Sequence, residues 1–246
     1  MRSICFFMLY HERLGLTKMS IDDMQRAMYY YISEGHTVDS IVIGDSPEIE
    51  EFCKSRGIRH ERFRNLPLSN KFSYAWLRAI QSGCEYVAWW GSNNVHSPEY
   101  LKACNDVLNG NKVASFGSDS CVIVSTEEGK DETCVFKTIS PYLISTGQFF
   151  LSYTLKKCIN PLTIYEPDQY CNFDGAVLDA MMNMFGKNVV QKVSFDQGDT
   201  LDIKNETNIH SYESYIVHKH YDRYLKRDEL RKRYPSLDLY LNGHFN

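Results

Sequence analysis

The sequence predicts an α/β fold in which a doubly wound, mostly parallel sheet carries a small antiparallel addition. Two observations point to it. Over residues 4–101, continuous apolar runs, the pattern of strands covered on both faces, take turns with segments whose apolar residues recur at helical spacing. Beyond Val113 that alternation gives way to short strand-like runs around a polar loop rich in Glu, Asp and Gly. Repeated strand-helix units imply right-handed crossovers and a parallel sheet. A length of 246 residues with 43% hydrophobic content is enough for one core with elaborations.

Residues 4–10 form the first apolar run and the expected first strand. Ser20 and Asp23 stand at capping-box spacing, and Ile21, Met24, Ala27, Met28, Tyr31 and Ile32 follow at helical spacing as far as Gly35. A second strand is expected at 38–43. Ser46-Pro47-Glu48 then supplies a capping hydroxyl, a first-turn proline and an acid near the positive end of a second helix, which Gly57 stops. Residues 58–63 read as a third strand, and a loop with Asn65, Pro67 and Asn70 leads to a helix over 71–82 with Phe72, Ala75, Trp76 and Ala79 on one face. The fourth strand, 86–90, runs into Gly91-Ser92-Asn93-Asn94, after which Ser97-Pro98-Glu99 repeats the start signals of the second helix. Short strands are expected at 113–116, 121–125 and 133–137, a helix at 174–185 and a further strand at 189–195.

A formal net charge of -4 gives no long-range attraction to nucleic acid or to an anionic membrane, so contact with either needs a local patch. Residues 219–233 hold one, with seven Lys or Arg against Asp222, Asp228 and Glu229; its other reading is a solvated helix face. The expected division is a main domain, 1–217, and a basic, aromatic C-terminal extension, 218–246. Eight cysteines are scattered without a C-x-x-C pair, which removes zinc-knuckle and redox motifs and suits reduced thiols in a cytoplasmic protein. No run approaches the length of a membrane span, and the apolar start is too short for a secretory signal. Neither G-x-G nor G-x-x-x-x-G-K occurs, so dinucleotide-fold and P-loop readings lose their fingerprints.

In open α/β sheets ligands bind beyond the carboxyl ends of the strands. The loops there hold His11, Glu12 and Arg13 after the first strand, Asp45 and Ser46 after the second, and Gly91, Ser92, Asn93 and Asn94 after the fourth. Residues 68–101, LSNKFSYAWLRAIQSGCEYVAWWGSNNVHSPEYL, resemble GT-A glycosyltransferases of the family-2-like kind. In that group a basic residue and a helix precede a G-x-x-Y-V strand, which ends in an acidic D-x-D or G-S-D-D motif followed by s-p-e-y-l. The resemblance extends over roughly residues 3–190, through the first strand, Asp45, Ser145-Thr146-Gly147-Gln148-Phe149 and Phe173-Asp174.

That resemblance implies a GT-A fold, a nucleoside-diphosphate sugar as donor, and transfer to an acceptor hydroxyl with inversion. The implied acceptors are a glycan or a hydroxylated DNA base, as decorated by small phage-encoded enzymes of this kind. Asp45 would accept a hydrogen bond from the donor's base, its other reading being a helix cap beside Ser46. Lys71 would contact base or diphosphate, and Gly91 and Ser92 would let the backbone approach the donor. His11 and Asn93 would join them, with Asp202 and Lys204 approaching from the C-terminal side. Asp174 would be the catalytic base, or else an N-cap. Where the family has carboxylates holding Mg²⁺ or Mn²⁺, this chain has Asn93 and Asn94, and it contains no Asp-x-Asp. Asn94 then stands as the metal-contacting residue, with the substrate completing the site. The alternatives are cationic side chains in place of the metal, or a degenerate domain that binds a nucleotide sugar or glycan without turnover. A nucleotidyltransferase would need a glycine-rich basic loop after the first strand, where this chain has Tyr10-His11-Glu12-Arg13-Leu14-Gly15. His210, His218 and His220 receive no ligand role, and Trp76, Trp89 and Trp90 fall at core spacing.

Overall fold

A computed structural model describes residues 1–11, 13–65, 67–110, 112–125, 134–137, 147–160, 165, 173–194, 197–198, 200–204, 223–225 and 227–234. The elements run in chain order β1 (Ser3–Leu9), α1 (Leu14–Ser33), β2 (Thr37–Gly44), α2 (Pro47–Ser55), β3 (Arg59–Arg62), α3 (Leu68–Gln81), β4 (Tyr86–Gly91), β5 (Asn94–His96) and α4 (Pro98–Asn109). There follow β6 (Ser115–Ser118), β7 (Ser120–Ser125), β8 (Cys134–Lys137), β9 (Gln148–Leu151), α5 (Ser152–Cys158), α6 (Phe173–Phe185), β10 (Val190–Val193), β11 (Thr200–Lys204), β12 (Arg223–Tyr224) and α7 (Arg227–Arg233).

A seven-stranded sheet has the order β10-β6-β9-β4-β1-β2-β3. β1 to β4 are mutually parallel through the pairs β1/β2, β1/β4 and β2/β3, whereas β9 runs antiparallel to both β4 and β6. Alternate residues of β1 enter opposite cores, because successive side chains of a strand point to opposite faces. Ile4, Phe6 and Met8 pack with α1, α2 and α4, while Cys5, Phe7 and Leu9 pack with α3, α5 and α6. Both faces are therefore covered, as the unbroken apolar run requires. A smaller sheet, β12-β8-β7-β11-β5, is antiparallel apart from the β7/β11 pair. Its core holds Val95, Val122, Val124, Leu201 and Ile203, and Met19 from α1 and Leu230 and Tyr234 from the end of the chain join it.

The doubly wound architecture and its smaller addition are thus as the sequence predicts. Helices α2 and α4 begin where expected: Ser46 Oγ accepts from Ile49 N at 3.4 Å and Ser97 Oγ from Tyr100 N at 3.1 Å. Trp76 and Trp90 are fully buried, in agreement with their core spacing. Other expectations fail locally. Helix α1 starts at Leu14 with no side-chain cap, so Ser20 and Asp23 lie inside it and form no capping box. Their polar groups are drawn instead to β5, where Ser20 Oγ donates to Asn94 O at 3.2 Å. Helix α3 starts at Leu68, directly after an extended Pro67, which puts Lys71 one turn inside the helix. Strands β5, β9, β11 and β12 and helix α5 are additions to the sequence-based outline. The boundary at 217/218, His210, His218 and His220 lie outside the described residues. No helix among the described residues is long and apolar enough to cross a membrane.

Candidate functional site

The carboxyl ends of β1, β2 and β4 lie side by side, so the loops that follow them share one edge of the large sheet. At the β1/β2 corner, Tyr10 is nearly fully buried, and its hydroxyl accepts from Ser46 N at 3.0 Å and hydrogen-bonds His60 Nε2 at 2.9 Å. The ring lies where a side chain at position 44 would be: a Cβ on Gly44 would stand 2.4 Å from it. Lys71, 0% exposed, sends its ammonium group to Tyr10 O and to Asn65 Oδ1, the latter at 2.6 Å. Burial pushes the Lys71 ammonium down to about 8, against the pull of the Asp45 carboxylate. Asp45 itself is exposed, and it is Ser46 Oγ that caps α2.

At the β1/β4 corner the principal side chain is Arg13. Its Nη2 donates to Ser92 Oγ at 3.4 Å, while its Nη1 is buried without a hydrogen-bond partner. Burial lowers the guanidinium pKa and the Asp202 charge opposes that shift. A buried donor left unbonded costs about 1–3 kcal/mol, and more when it is charged. Across the turn, Asn93 Nδ2 donates to Asp202 Oδ1 at 2.7 Å and to Ile203 O at 2.9 Å, and Asn93 O accepts from Ile203 N at 3.0 Å. These bonds tie the β4–β5 turn to β11, with Asn94 directly opposite Asp202 in the antiparallel register.

Behind the turn lies an ionic cluster that Arg26, partly exposed, closes from outside. Asp23 and His96 have side chains at 0% exposure, with His96 Nδ1 2.7 Å from Asp23 Oδ2. The same oxygen accepts from His96 N and Trp90 Nε1, each at 3.2 Å, and Asp23 Oδ1 accepts from Arg26 Nη2 at 2.5 Å. Burial opposes ionisation of Asp23, but the His96 hydrogen bond and the His96 and Arg26 charges outweigh it and hold the carboxyl below its usual range. Arg26 also donates to His96 O. The cluster clamps β5, and with it the Gly91-to-Asn94 turn, onto α1.

Of the residues singled out in the sequence, Asp45 lies near enough to Lys71 at the first corner for its charge to act on the ammonium, and Gly91, Ser92, Asn93 and Asn94 form the turn at the second. His11 follows β1 between the two and is half-buried. Asp174 is the second residue of α6 and Lys204 the last of β11; the side chains of both lie outside the described residues. Arg13, Tyr10 and Asn65 contribute polar contacts to which sequence reasoning gave no role, and Asp23 was read as a cap. The one available signal was an arginine in the loop after the first strand.

The groups at the turn do not suit Mg²⁺ or Mn²⁺. Among the described residues there, Asn94 is neutral and the one carboxylate, Asp202, is bonded by Asn93 and acts on the Arg13 charge, a poor donor set for a dication. Among the described residues no group of three or more His, Cys, Asp or Glu is arranged to hold a metal ion.

No protein-family model and no curated protein sequence matches the chain. In structure it is similar to S. aureus TarS 1-349 in complex with UDP, at TM-score 0.44 and 11% identity over 84% of this chain and 59% of that one. It is similar to a mycobacterial protein at TM-score 0.47 and 10% identity, over 82% of this chain and 65% of the other. It is also similar to glucosyl-3-phosphoglycerate synthase from Mycobacterium tuberculosis in complex with Mg²⁺ and UDP, at TM-score 0.48 and 10% identity over 78% and 69% of the respective chains. The chain spans less than two thirds of the length of the first two of these structures.

Proposed function

We propose that the chain is a GT-A type glycosyltransferase that moves a hexose or pentose from a nucleoside-diphosphate sugar to an acceptor hydroxyl. The observation that carries this reading is the Arg13 guanidinium, whose Nη1 is buried and unbonded, at the same sheet edge as the buried Lys71 ammonium. Two cations near the carboxyl ends of adjacent parallel strands suit a ligand with two phosphates. In this reading Asp45 accepts from the donor's base and Lys71 reaches base or diphosphate. Gly91 and Ser92 admit the diphosphate, with His11, Asn93 and Lys204 around it.

The reaction breaks the bond between the anomeric carbon and the diphosphate oxygen, whose electron pair stays on the leaving nucleoside diphosphate. The acceptor oxygen attacks from the opposite face and its proton passes to Asp174, giving inversion. A glycan or a hydroxylated DNA base serves as acceptor, and the basic stretch at 219–233, where Arg231 and Lys232 are exposed, suits the latter.

A panel of UDP- and GDP-sugars tests the proposal. Wild-type protein should release nucleoside diphosphate, and Asp174→Asn should lower the rate by about 10²- to 10⁴-fold. Failure of every donor to turn over, together with no thermal shift from any nucleotide, would sink it. Binding without turnover would favour a nucleotide-sugar binding module instead.

A further inference from the structure

We propose that Arg13 is the fixed cation for the leaving diphosphate, so that the protein neutralises this group with a guanidinium where a metal-dependent enzyme uses Mg²⁺ or Mn²⁺. The inference rests on the donor reading above and deepens it.

Three features of the β1/β4 corner support it. Arg13 stands four residues past the end of β1, the strand between β2 and β4, and immediately before α1, where its side chain reaches Ser92 beyond the end of β4. Ser92 Oγ holds one terminal nitrogen at 3.4 Å, which orients the planar fork and leaves the buried Nη1 with a hydrogen to donate. A guanidinium presents donors in a rigid fork that matches two phosphate oxygens, and it stays charged at any pH the protein meets. Asp202 is the counter-charge that offsets the cost of desolvating Arg13, and its carboxylate is held at the turn by Asn93.

The same arrangement explains the amides at positions 93 and 94. A second carboxylate there would compete with the diphosphate for the guanidinium, whereas Asn93 donates to Asp202 and adds no negative charge. As the anomeric carbon–oxygen bond breaks, the departing diphosphate gains one unit of negative charge. A cation already largely desolvated at this corner needs little reorganisation to stabilise that charge. The acceptor proton goes to the base, so charge and atoms balance with no further reactant.

Calorimetric titration of the full chain with UDP and with uridine, each in EDTA and in excess Mn²⁺, tests the inference. Wild-type protein should bind UDP in EDTA with an affinity within about threefold of that in Mn²⁺. Arg13→Met should weaken UDP by about 10- to 100-fold and leave uridine unchanged. Arg13→Lys should recover part of the loss, since it keeps the charge and loses the fork. Should Arg13→Met fail to fold, the wild-type metal comparison and Arg13→Lys decide. UDP binding that needs Mn²⁺ and ignores Arg13 overturns this inference and leaves the donor reading standing. A wild-type protein that binds no nucleotide in either buffer overturns both.

Discussion

Asp23 receives four hydrogen bonds inside the protein, from His96 Nδ1, His96 N, Trp90 Nε1 and Arg26 Nη2. Removing the carboxylate strands a buried imidazole and a guanidinium, so Asp23→Ala should cost about 3–5 kcal/mol in urea unfolding, and a loss under about 1 kcal/mol would contradict the arrangement. Its folded pKa lies below the unfolded value, so the native state binds fewer protons here than the unfolded state in acid. This contribution is present above about pH 4 and is lost as pH falls through the lower folded pKa. Lys71 is a base with a depressed pKa, about 8 against 10.5, so the folded protein sheds this proton first and the Lys71 contribution to stability grows between those two pH values. Ligand binding runs the other way. If the ammonium contacts the donor, UDP affinity should fall as pH passes about 8, and the decline should vanish in Lys71→Arg, whose charge persists. Burial pushes the thiols of Cys5, Cys53 and Cys104 up to about 12, so a thiolate-directed reagent should label these three only on unfolding, as peptide mapping would report.

Among the elements, β5 has the greatest leverage for its size. Three residues long, it pairs with β11, carries His96 into the ionic cluster and sets the turn that holds Ser92 and Asn93. Gly147, just before β9, is fitted against it: its φ is +81° and a Cβ there would lie 2.4 Å from His96 Nε2. Gly147→Ala should therefore destabilise by at least about 1–3 kcal/mol from the backbone alone, and a melting temperature equal to wild type would refute this packing. Such long-range fitting also marks where the sequence stops being readable. Helices α2 and α4 carry their start signals within three residues, Ser-Pro-Glu, and the structure uses them as written. Strand β5 has no local signal, because a short Asn-Val-His run becomes a strand only through β11, more than a hundred positions away. Ser20 and Asp23 mislead for the same reason: their spacing imitates a cap, but their partners Asn94 and His96 come from that distant strand. At the site, the loops were legible from strand order alone. Arg13 was not, since its burial against Ser92 depends on the β1/β4 pairing.

For the molecule as a whole, β1 is central: it is hydrogen-bonded on both sides by β2 and β4, and residues 4–9 are buried. Amide hydrogens of β1 and β4 should exchange slowest and those of the edge strands β3 and β10 faster. Equal protection at centre and edge would contradict the sheet order. The passage from β4 to β5 is also the first point where the chain leaves the large sheet for the small one, and Gly91 to Asn94 are that stitch between them. A guest held by Ser92 would grip that stitch and draw both halves of the fabric tight together. Saturating nucleotide should then raise the melting of the two sheets as a single event, with neither half coming apart ahead of the other.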